Sequence, residues 1–375
     1  MRREKVTPRP DWRERCEQVG FSYHTIDGTY WDESACYAFS ADEIDLLETA
    51  SAELHRMCLQ ACEHVVNQER FAEFAIPPQF HALVATSWER HDATLFGRFD
   101  LAWNGTGHPK LLEYNADTPT ALLESSVVQW HWMREVKEGS DQFNSLHEKL
   151  IAAWHAIAPT LRGSMLHFAC VKSHAEDLGN LEYLRDTAIQ AKIPTTHVFI
   201  EDIGWNARTG AFVDLERRRI DALFKLYPWE WLATETFGQH LIAEPCRMIE
   251  PAWKMLLSNK AILAVLWELF PDSPYLLPAY RDPAQLHGDY VRKPILSREG
   301  ANIAIRRRAG AMLTQGTYGA EGYVYQGFTP LMETDGNYAV IGSWIIGDEP
   351  AGIGIREDRS AVTTNASRFV PHYFF

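Results

Sequence analysis

Between Leu95 and Thr120 the chain reads LFGRFDLAWNGTGHPKLLEYNADTPT, and four residues in it, Arg98, Asp100, Glu113 and Asn115, are spaced so that they can meet. Leu95–Trp103 alternates as a strand does, and Lys110–Asn115 can pair with it across a loop holding Asn104-Gly105 and Gly107. Side chains repeat every second residue along a strand, so Arg98 and Asp100 share one face, and Glu113 and Asn115 share one face of the partner. If Trp103 pairs with Lys110, Asp100 lies opposite Glu113 and Arg98 opposite Asn115. Two bare carboxylates ~5 Å apart repel by roughly 3 kcal/mol at an effective dielectric of about 20, and like charges facing each other weaken a sheet. A divalent cation turns that repulsion into ligation. Asp, Glu and an Asn carbonyl form an oxygen set that suits Mg²⁺, with phosphate oxygens completing the octahedron. The plain alternative is a solvated hairpin face carrying an Arg–Asp pair.

Phosphate chemistry would need cations, and the chain supplies candidates. Lys260 follows Ser258, a candidate N-cap, at the start of the apolar-periodic stretch Leu256–Phe270. A lysine in the first turn faces the positive end of the helix dipole, at a cost of a few tenths of a kcal/mol or more; a bound anion reverses the sign. Lys293 alternates with Val291 and Ile295 and points with them to an apolar side, so its charge needs a partner, either phosphate or carboxylate. Arg98 and Arg356 carry the planar fork that fits phosphate oxygens, although in IREDRS Arg359 could serve equally. After Lys293 comes the loop Ser297-Arg298-Glu299-Gly300-Ala301. Its glycine lets backbone N–H groups approach a ligand, it is not a Walker A sequence, and Arg298 is placed to reach an acidic substrate or a phosphate. Thr118 and Thr120 flank Pro119, where their local role is to close a turn or cap the next helix.

The elements that must position these residues can be traced by periodicity. Ser40-x-x-Glu43 is a capping box opening a helix to about Asn67, with Ile44, Leu47, Leu54, Cys58, Ala61 and Val65 on one stripe. His55, Cys58 and Cys62 share a side of it but lack the fourth ligand and paired motif of a zinc site, so they read as packing. Helices are expected over Glu124–Val136, Ser145–Ala158 and Leu256–Phe270. Strand Met165–Val171, helix Leu181–Ala191 and strand Thr195–Ile200 make a βαβ unit, whose loop Lys172–Asn180 opens at the carboxyl ends of the strands, where α/β folds bind ligands. Ile220–Tyr227 is a further strand. Tyr290–Ile295 and Asn302–Arg307 read as a hairpin around the Gly300 loop, and Tyr323–Gln326, Tyr338–Ile345 and Gly352–Ile355 as closing strands. This interleaving gives an α/β (α+β) protein.

GRFD (Gly97–Asp100) followed by LLEYNADTPT (Leu111–Thr120) resembles the metal and phosphate signature of the glutathionylspermidine synthetase family. The resemblance continues through HTIDGTYWDESACYAF (His24–Phe39), SNKAILAVLWELFP (Ser258–Pro271), VRKPILSREGANI (Val291–Ile303) and IGIREDRSAVTTNASRFVPHYF (Ile353–Phe374), in the family's order. It points to the stand-alone acid–amine ligase branch. It implies an ATP-grasp fold with a pre-ATP-grasp-like βαβ lobe over residues 10–374, no N-terminal amidase, and amide synthesis with ATP and one or two Mg²⁺ ions. It also assigns Lys260 and Lys293 to ATP phosphates, the loop with Glu299 and Gly300 to a flap over the nucleotide, Gln326 to the strand beside adenine, and Thr118 and Thr120 to the neighbourhood of the acid substrate. The acceptor loops depart from the family, so glutathione and spermidine do not carry over as substrates.

Composition narrows the classes. The 375 residues suffice for one multi-lobed unit or two to three ordinary domains. A net charge of −14 argues against a nucleic-acid partner and is compatible with a cationic substrate such as a polyamine. The six cysteines contain no C-x-x-C, which reads as reduced thiols in the cytoplasm. MRREKVTPRPDW lacks an apolar signal region, and no apolar run approaches the ~20 residues of a membrane span. The expectation is an ATP- and Mg²⁺-dependent carboxylate–amine ligase working through an acyl phosphate on small molecules, with no nucleic acid or membrane. Asp100, Glu113 and Asn115 would hold metal, and Arg98, Lys260, Lys293 and Arg356 would neutralise phosphates. A kinase or other phosphotransferase using the same groups, and a catalytically idle nucleotide-binding module, are the alternatives.

Overall fold

In the computed structural model, which describes residues 1–26, 28–364 and 367–375, Phe96–Ala102 pairs antiparallel with Lys110–Asn115. Asp27, Asn365 and Ala366, which belong to two of the sequence blocks above, lie outside the described residues. Arg98 faces Asn115 and Asp100 faces Glu113, as the alternation requires. The other end of the ladder differs: Lys110 pairs with Ala102 instead of Trp103, Leu111 with Leu101, and Leu112 bulges. The bulge has a packing cause. In an unbroken strand Leu111, Glu113 and Asn115 would share one face. The extra residue lets Leu111 and Tyr114 enter the core while Glu113 and Asn115 stay outside it.

This hairpin is one edge of a six-stranded antiparallel sheet that runs through Asn337–Ile346, Glu349–Asp358 and Arg368–Val370, with Met332–Thr334 attached. A five-stranded antiparallel sheet faces it, ordered Ala279–Tyr280, Tyr323–Gly327, Tyr290–Pro294, Ala304–Arg307 and Gly310–Leu313. The βαβ lobe is a four-stranded parallel sheet of Arg247–Ile249, Ala222–Lys225, Leu166–Cys170 and Thr195–Phe199. A strand that the periodicity did not reveal, Arg2–Lys5, joins Ala35–Phe39 and His372–Phe374 in a three-stranded sheet, tying the two ends of the chain together.

The long helix Ala41–Asn67 starts with the expected reciprocal capping box of Ser40 and Glu43. It packs Leu47, Leu54, Cys58 and Val65 into a core shared with Phe99, Leu101 and Ile341 of the six-stranded sheet. His55 on it bonds to Asp348 and to the Tyr114 hydroxyl, each at 3.2 Å, so the helix holds a packed histidine. The sheet's other face contributes Phe96 and Trp344, whose rings stack 6.2 Å apart, to a second core with Trp132 and Phe224. All six cysteines are free and buried. Among the described residues no helix is long and apolar enough to cross a membrane.

Two expected elements are corrected. The lobe's helix begins at Ala175 instead of Leu181, so the loop expected over Lys172–Asn180 is only a short turn. Glu176 and Asp177 in the first turn complement the helix dipole and stabilise this earlier start. The helix expected over Leu256–Phe270 is two helices, Lys254–Leu257 and Ile262–Leu269. Ser258 closes the first, its hydroxyl donating to the Lys254 carbonyl at 3.1 Å, and therefore does not cap the second. Asn259 holds the break by accepting from Ala261 N and donating to the Phe74 carbonyl. Lys260 sits in the break, its backbone N–H bonded to the Ile295 carbonyl, so the helix-dipole argument does not apply to it.

Candidate active site

Two adjoining cavities, of about 220 and 490 Å³, meet at Glu113, Lys260, Ser297, Gly300 and Thr363. The larger is of ordinary size for a small-molecule site, and the smaller extends it. Every candidate from the sequence except Arg359 lines one or both. Arg98, Asn115, Thr118, Thr120, Arg298, Glu299 and Arg356 face the smaller, Asp100, Lys293 and Gln326 the larger, and Glu113, Lys260 and Gly300 both.

The hairpin face is an ion-paired wall, buried at Arg98 and Asp100 and half-buried at Glu113 and Asn115. Asp100 accepts from Arg98 Nε at 2.9 Å through one oxygen and from Arg356 Nη2 at 2.6 Å through the other. Arg98 also donates to the Thr120 carbonyl at 2.6 Å. Arg359 points elsewhere, to the Asp335 carbonyl, so of the two arginines in IREDRS it is Arg356 that enters the site. Lys260 Nζ lies 3.0 Å from Glu113 Oε2 and 2.6 Å from the Ser297 carbonyl. Lys293 arrives from the facing sheet and donates to the carbonyl of the bulged Leu112 at 2.8 Å and to Gln326 Oε1 at 2.7 Å. The Gln326 amide in turn donates to the Leu111 carbonyl, so Gln326 joins the two sheets at their edge. The Arg–Asp pair of the plain alternative is therefore real, but Arg98 and Asp100 are only 6% and 4% exposed, so it is not a solvated face.

Burial would raise the Glu113 carboxyl, but Lys260 and Lys293 outweigh it and bring it down to about 2. Burial lowers the Lys293 ammonium to about 8, against the pull of Glu113. Four cations, Arg98, Lys260, Lys293 and Arg356, thus face two carboxylates, and the excess is an anion site. Asp100, Glu113 and the Asn115 amide oxygen, in register on one wall, make a hard oxygen set. Among the described residues no cluster of three or more His, Cys, Asp or Glu could hold a metal by itself. As the side chains stand, both Asp100 oxygens accept from arginines, Glu113 pairs with Lys260 and Asn115 Oδ1 accepts from Thr118 N, so these residues could hold an ion such as Mg²⁺ only by opening those contacts and sharing it with ligand oxygens.

Across the smaller cavity the charge reverses. His174, Glu176, Asp177, Glu230 and Glu299 line it, with Tyr227 and Trp231. Burial lifts the Asp177 carboxyl to about 6, with Glu176 and Glu299 adding to the rise and His174 and Arg298 opposing it. Arg298 bridges the cavity: Nη1 donates to Thr118 Oγ1 at 2.8 Å, and Nε and Nη2 donate to Glu230 Oε1 at 2.9 and 2.7 Å. The loop that carries it turns through left-handed conformations at Glu299 (φ 55°) and Gly300 (φ 68°). A β-carbon at Gly300 would stand 2.5 Å from the Thr363 carbonyl oxygen, which is why glycine is required there.

The acidic wall escaped the sequence reading. Its one local signal is the pair Glu176-Asp177, which suits the first turn of a helix but falls in the stretch the periodicity gives to a loop. Glu230 carries no such signal, since only the fold brings it to Arg298.

The profile of the family described as "Glutathionylspermidine synthase preATP-grasp" matches residues 3–375. A Haemophilus influenzae protein named "Putative acid–amine ligase" is 42% identical over 98% of this chain and 97% of its own. Trypanothione synthetase of Crithidia fasciculata is 30% identical over 95% of this chain, and the bifunctional glutathionylspermidine synthetase/amidase of Escherichia coli 28% identical over 96%. The chain spans 57% and 63% of the lengths of those two. Among solved structures, a glutathione synthetase-like effector from Globodera pallida superposes with a TM-score of 0.64 over 97% of this chain and 96% of its own, at 8% identity. That likeness is one of fold, and the fold is the ATP-grasp type that the sequence blocks imply.

Proposed function

This chain belongs to the glutathionylspermidine synthase family of carbon–nitrogen ligases, and from that premise we propose that it joins a small-molecule carboxylate to an amine at the expense of ATP, through an acyl phosphate. The observation that carries the reading is a pair of adjoining cavities with walls of opposite sign. The cationic wall of Arg98, Lys260, Lys293 and Arg356 suits a triphosphate, and the acidic wall of Glu176, Asp177 and Glu230 suits a cationic amine.

A carboxylate does not accept an amine directly, because its leaving group is too poor. A carboxylate oxygen attacks the terminal phosphorus of ATP, the bond to the bridging oxygen breaks, and ADP leaves. The amine nitrogen then attacks the acyl carbon, the carbon–oxygen bond to phosphate breaks, and inorganic phosphate and one proton are released. Phosphoryl transfer asks the protein mainly for position and positive charge. Asp100, Glu113 and Asn115 would hold Mg²⁺, which when bound neutralises phosphate oxygens. Lys260 and Lys293 reach the phosphates from two separate segments, and Arg98 and Arg356 offer planar forks to oxygens that gain charge. Thr118, Thr120 and Arg298 line the acid half-site. The loop of Glu299 and Gly300 covers the phosphates and excludes the water that would hydrolyse the acyl phosphate. Gln326 lines the larger, more apolar cavity assigned to the nucleoside.

The test is an ADP-release screen of carboxylates, glutathione among them, against amines that include polyamines. ADP, phosphate and amide should appear in equal amounts. With acid but no amine, hydroxylamine should trap a hydroxamate. A stable phosphorylated product formed without amine would replace this reading by a kinase, and tight MgATP binding with no turnover on any pair would replace it by an idle nucleotide-binding module.

A further inference from the structure

Asp117 stands between Asn115 on the metal side and Thr118 on the acid side, yet its carboxylate lies outside the cavity, fully buried. One oxygen accepts from Lys225 Nζ at 2.6 Å and the other from the backbone N–H of Trp229 at 2.8 Å. Lys225 ends the lobe strand Ala222–Lys225, is equally buried, and holds its ammonium 5.0 Å from the centre of the Trp229 ring. The residue after Trp229 is Glu230, which grips Arg298, and Arg298 donates to Thr118, the residue after Asp117. These contacts close a ring through three distant segments: Asp117–Thr118, Trp229–Glu230 and Arg298 of the flap.

Stability alone gives no reason for the buried pair, because replacing such a pair by well-packed apolar side chains is often neutral or favourable. Its geometry does give one. Three of the five N–H donors of Arg298 are used by Glu230 and Thr118, so their direction is fixed, and two remain for an incoming carboxylate among the described residues. A guanidinium that must meet a planar carboxylate gains from such an anchor. We propose that Asp117 is a positioning residue of the acid half-site: held by Lys225, it fixes Trp229–Glu230 and thereby aims Arg298 and Thr118. The term acid half-site rests on the ligase reading above, whereas the ring of contacts does not.

The experiment compares Asp117→Asn, the charge-balanced double variant Asp117→Asn/Lys225→Met and Glu230→Gln with wild type. Amide hydrogen exchange and binding of the Mg²⁺ complex of a non-hydrolysable ATP analogue are measured for each. Both Asp117 variants should show faster exchange at the Trp229 amide and over residues 227–232 and 297–301, by about tenfold or more. Affinity for the analogue should fall less than KM for the acid rises, because Arg98, Lys293 and Arg356 keep their contacts and only Lys260 is bonded to the loosened segment, at the Ser297 carbonyl. Glu230→Gln should loosen 297–301 while leaving the Trp229 amide protected. On the acid–amine pair found in the screen, the double variant should raise KM for the acid about tenfold and KM for MgATP clearly less. The double variant, with no unpaired buried charge, keeps the comparison valid if the single one unfolds. Unchanged exchange at 297–301 in the folded double variant, or a parallel loss of analogue affinity, overturns the proposal. A screen without any active pair overturns the ligase reading and leaves the exchange result to decide the ring.

Discussion

The ammonium of Lys293 is bonded at 2.8 Å to the carbonyl of Leu112, the residue that bulges out of the hairpin ladder. One extra residue in a strand thus does two things. It turns Leu111 inward, and it offers an acceptor that fixes a lysine from the facing sheet beside Glu113. Replacing Lys293 or Lys260 by Met keeps most of the stem and removes the charge. A charge-assisted contact is worth about 1.5–3 kcal/mol, so each variant should lose ~10–100-fold in turnover. Thermal unfolding should shift little for Lys260→Met and further for Lys293→Met, which leaves the Leu112 carbonyl and Gln326 Oε1 without their buried donor. Normal ATP consumption in steady-state assays of either variant would show that its ammonium only holds the local backbone.

Glu113 is the carboxylate placed between both lysines. Glu113→Gln keeps its size and one acceptor but loses the charge that balances them. Calorimetric titration should find wild-type binding of nucleotide strongly dependent on Mg²⁺ and the variant's binding weaker and nearly indifferent to it. Equal affinity with and without Mg²⁺ in wild type would remove the hairpin carboxylates from the metal.

Arg356 and Arg359 separate a site arginine from a surface one. Arg356→Lys loses the fork that reaches Asp100 and should slow turnover by about tenfold or more. Arg359→Ala removes only a contact with the Asp335 carbonyl, on an exposed side chain, and should leave kcat within about twofold. Parallel kinetics on the two variants decide this.

Asp177 gives a pH signature with two opposite signs. Its carboxyl is raised to about 6 by burial, reinforced by Glu176 and Glu299 and opposed by His174 and Arg298. As pH falls through about 6 the charge facing the amine is lost, so KM for a cationic amine should rise. Stability should move the other way. The folded protein keeps a proton that the unfolded chain releases at ordinary carboxylate pH, so its stabilising contribution is present at low pH and is lost as pH rises through about 6. Asp177→Asn should flatten the kinetic profile around pH 6 and the stability profile between about pH 4 and 6, as read by amine-dependent kinetics and by chemical denaturation.

What the sequence determined by itself was local or block-like. Period-two alternation and a glycine turn suffice to put Asp100 opposite Glu113, because a strand's faces are set by its own backbone. The ordered motif blocks assigned the family, and the profile match over residues 3–375 bears that out. Other features were decided by tertiary packing. The Leu112 bulge exists because Leu111 must enter a core built partly by the helix Ala41–Asn67, and a ladder read from its own residues has no knowledge of that core. The break at Ser258–Ala261 is held by Asn259 on the Phe74 carbonyl and by Ile295, and both lie outside the window from which a helix is read. The acidic wall and the ring through Asp117 are further still from local pattern. Asp117 and Lys225 are 108 residues apart, and a buried carboxylate and a buried ammonium each look like surface residues until the fold removes the water between them.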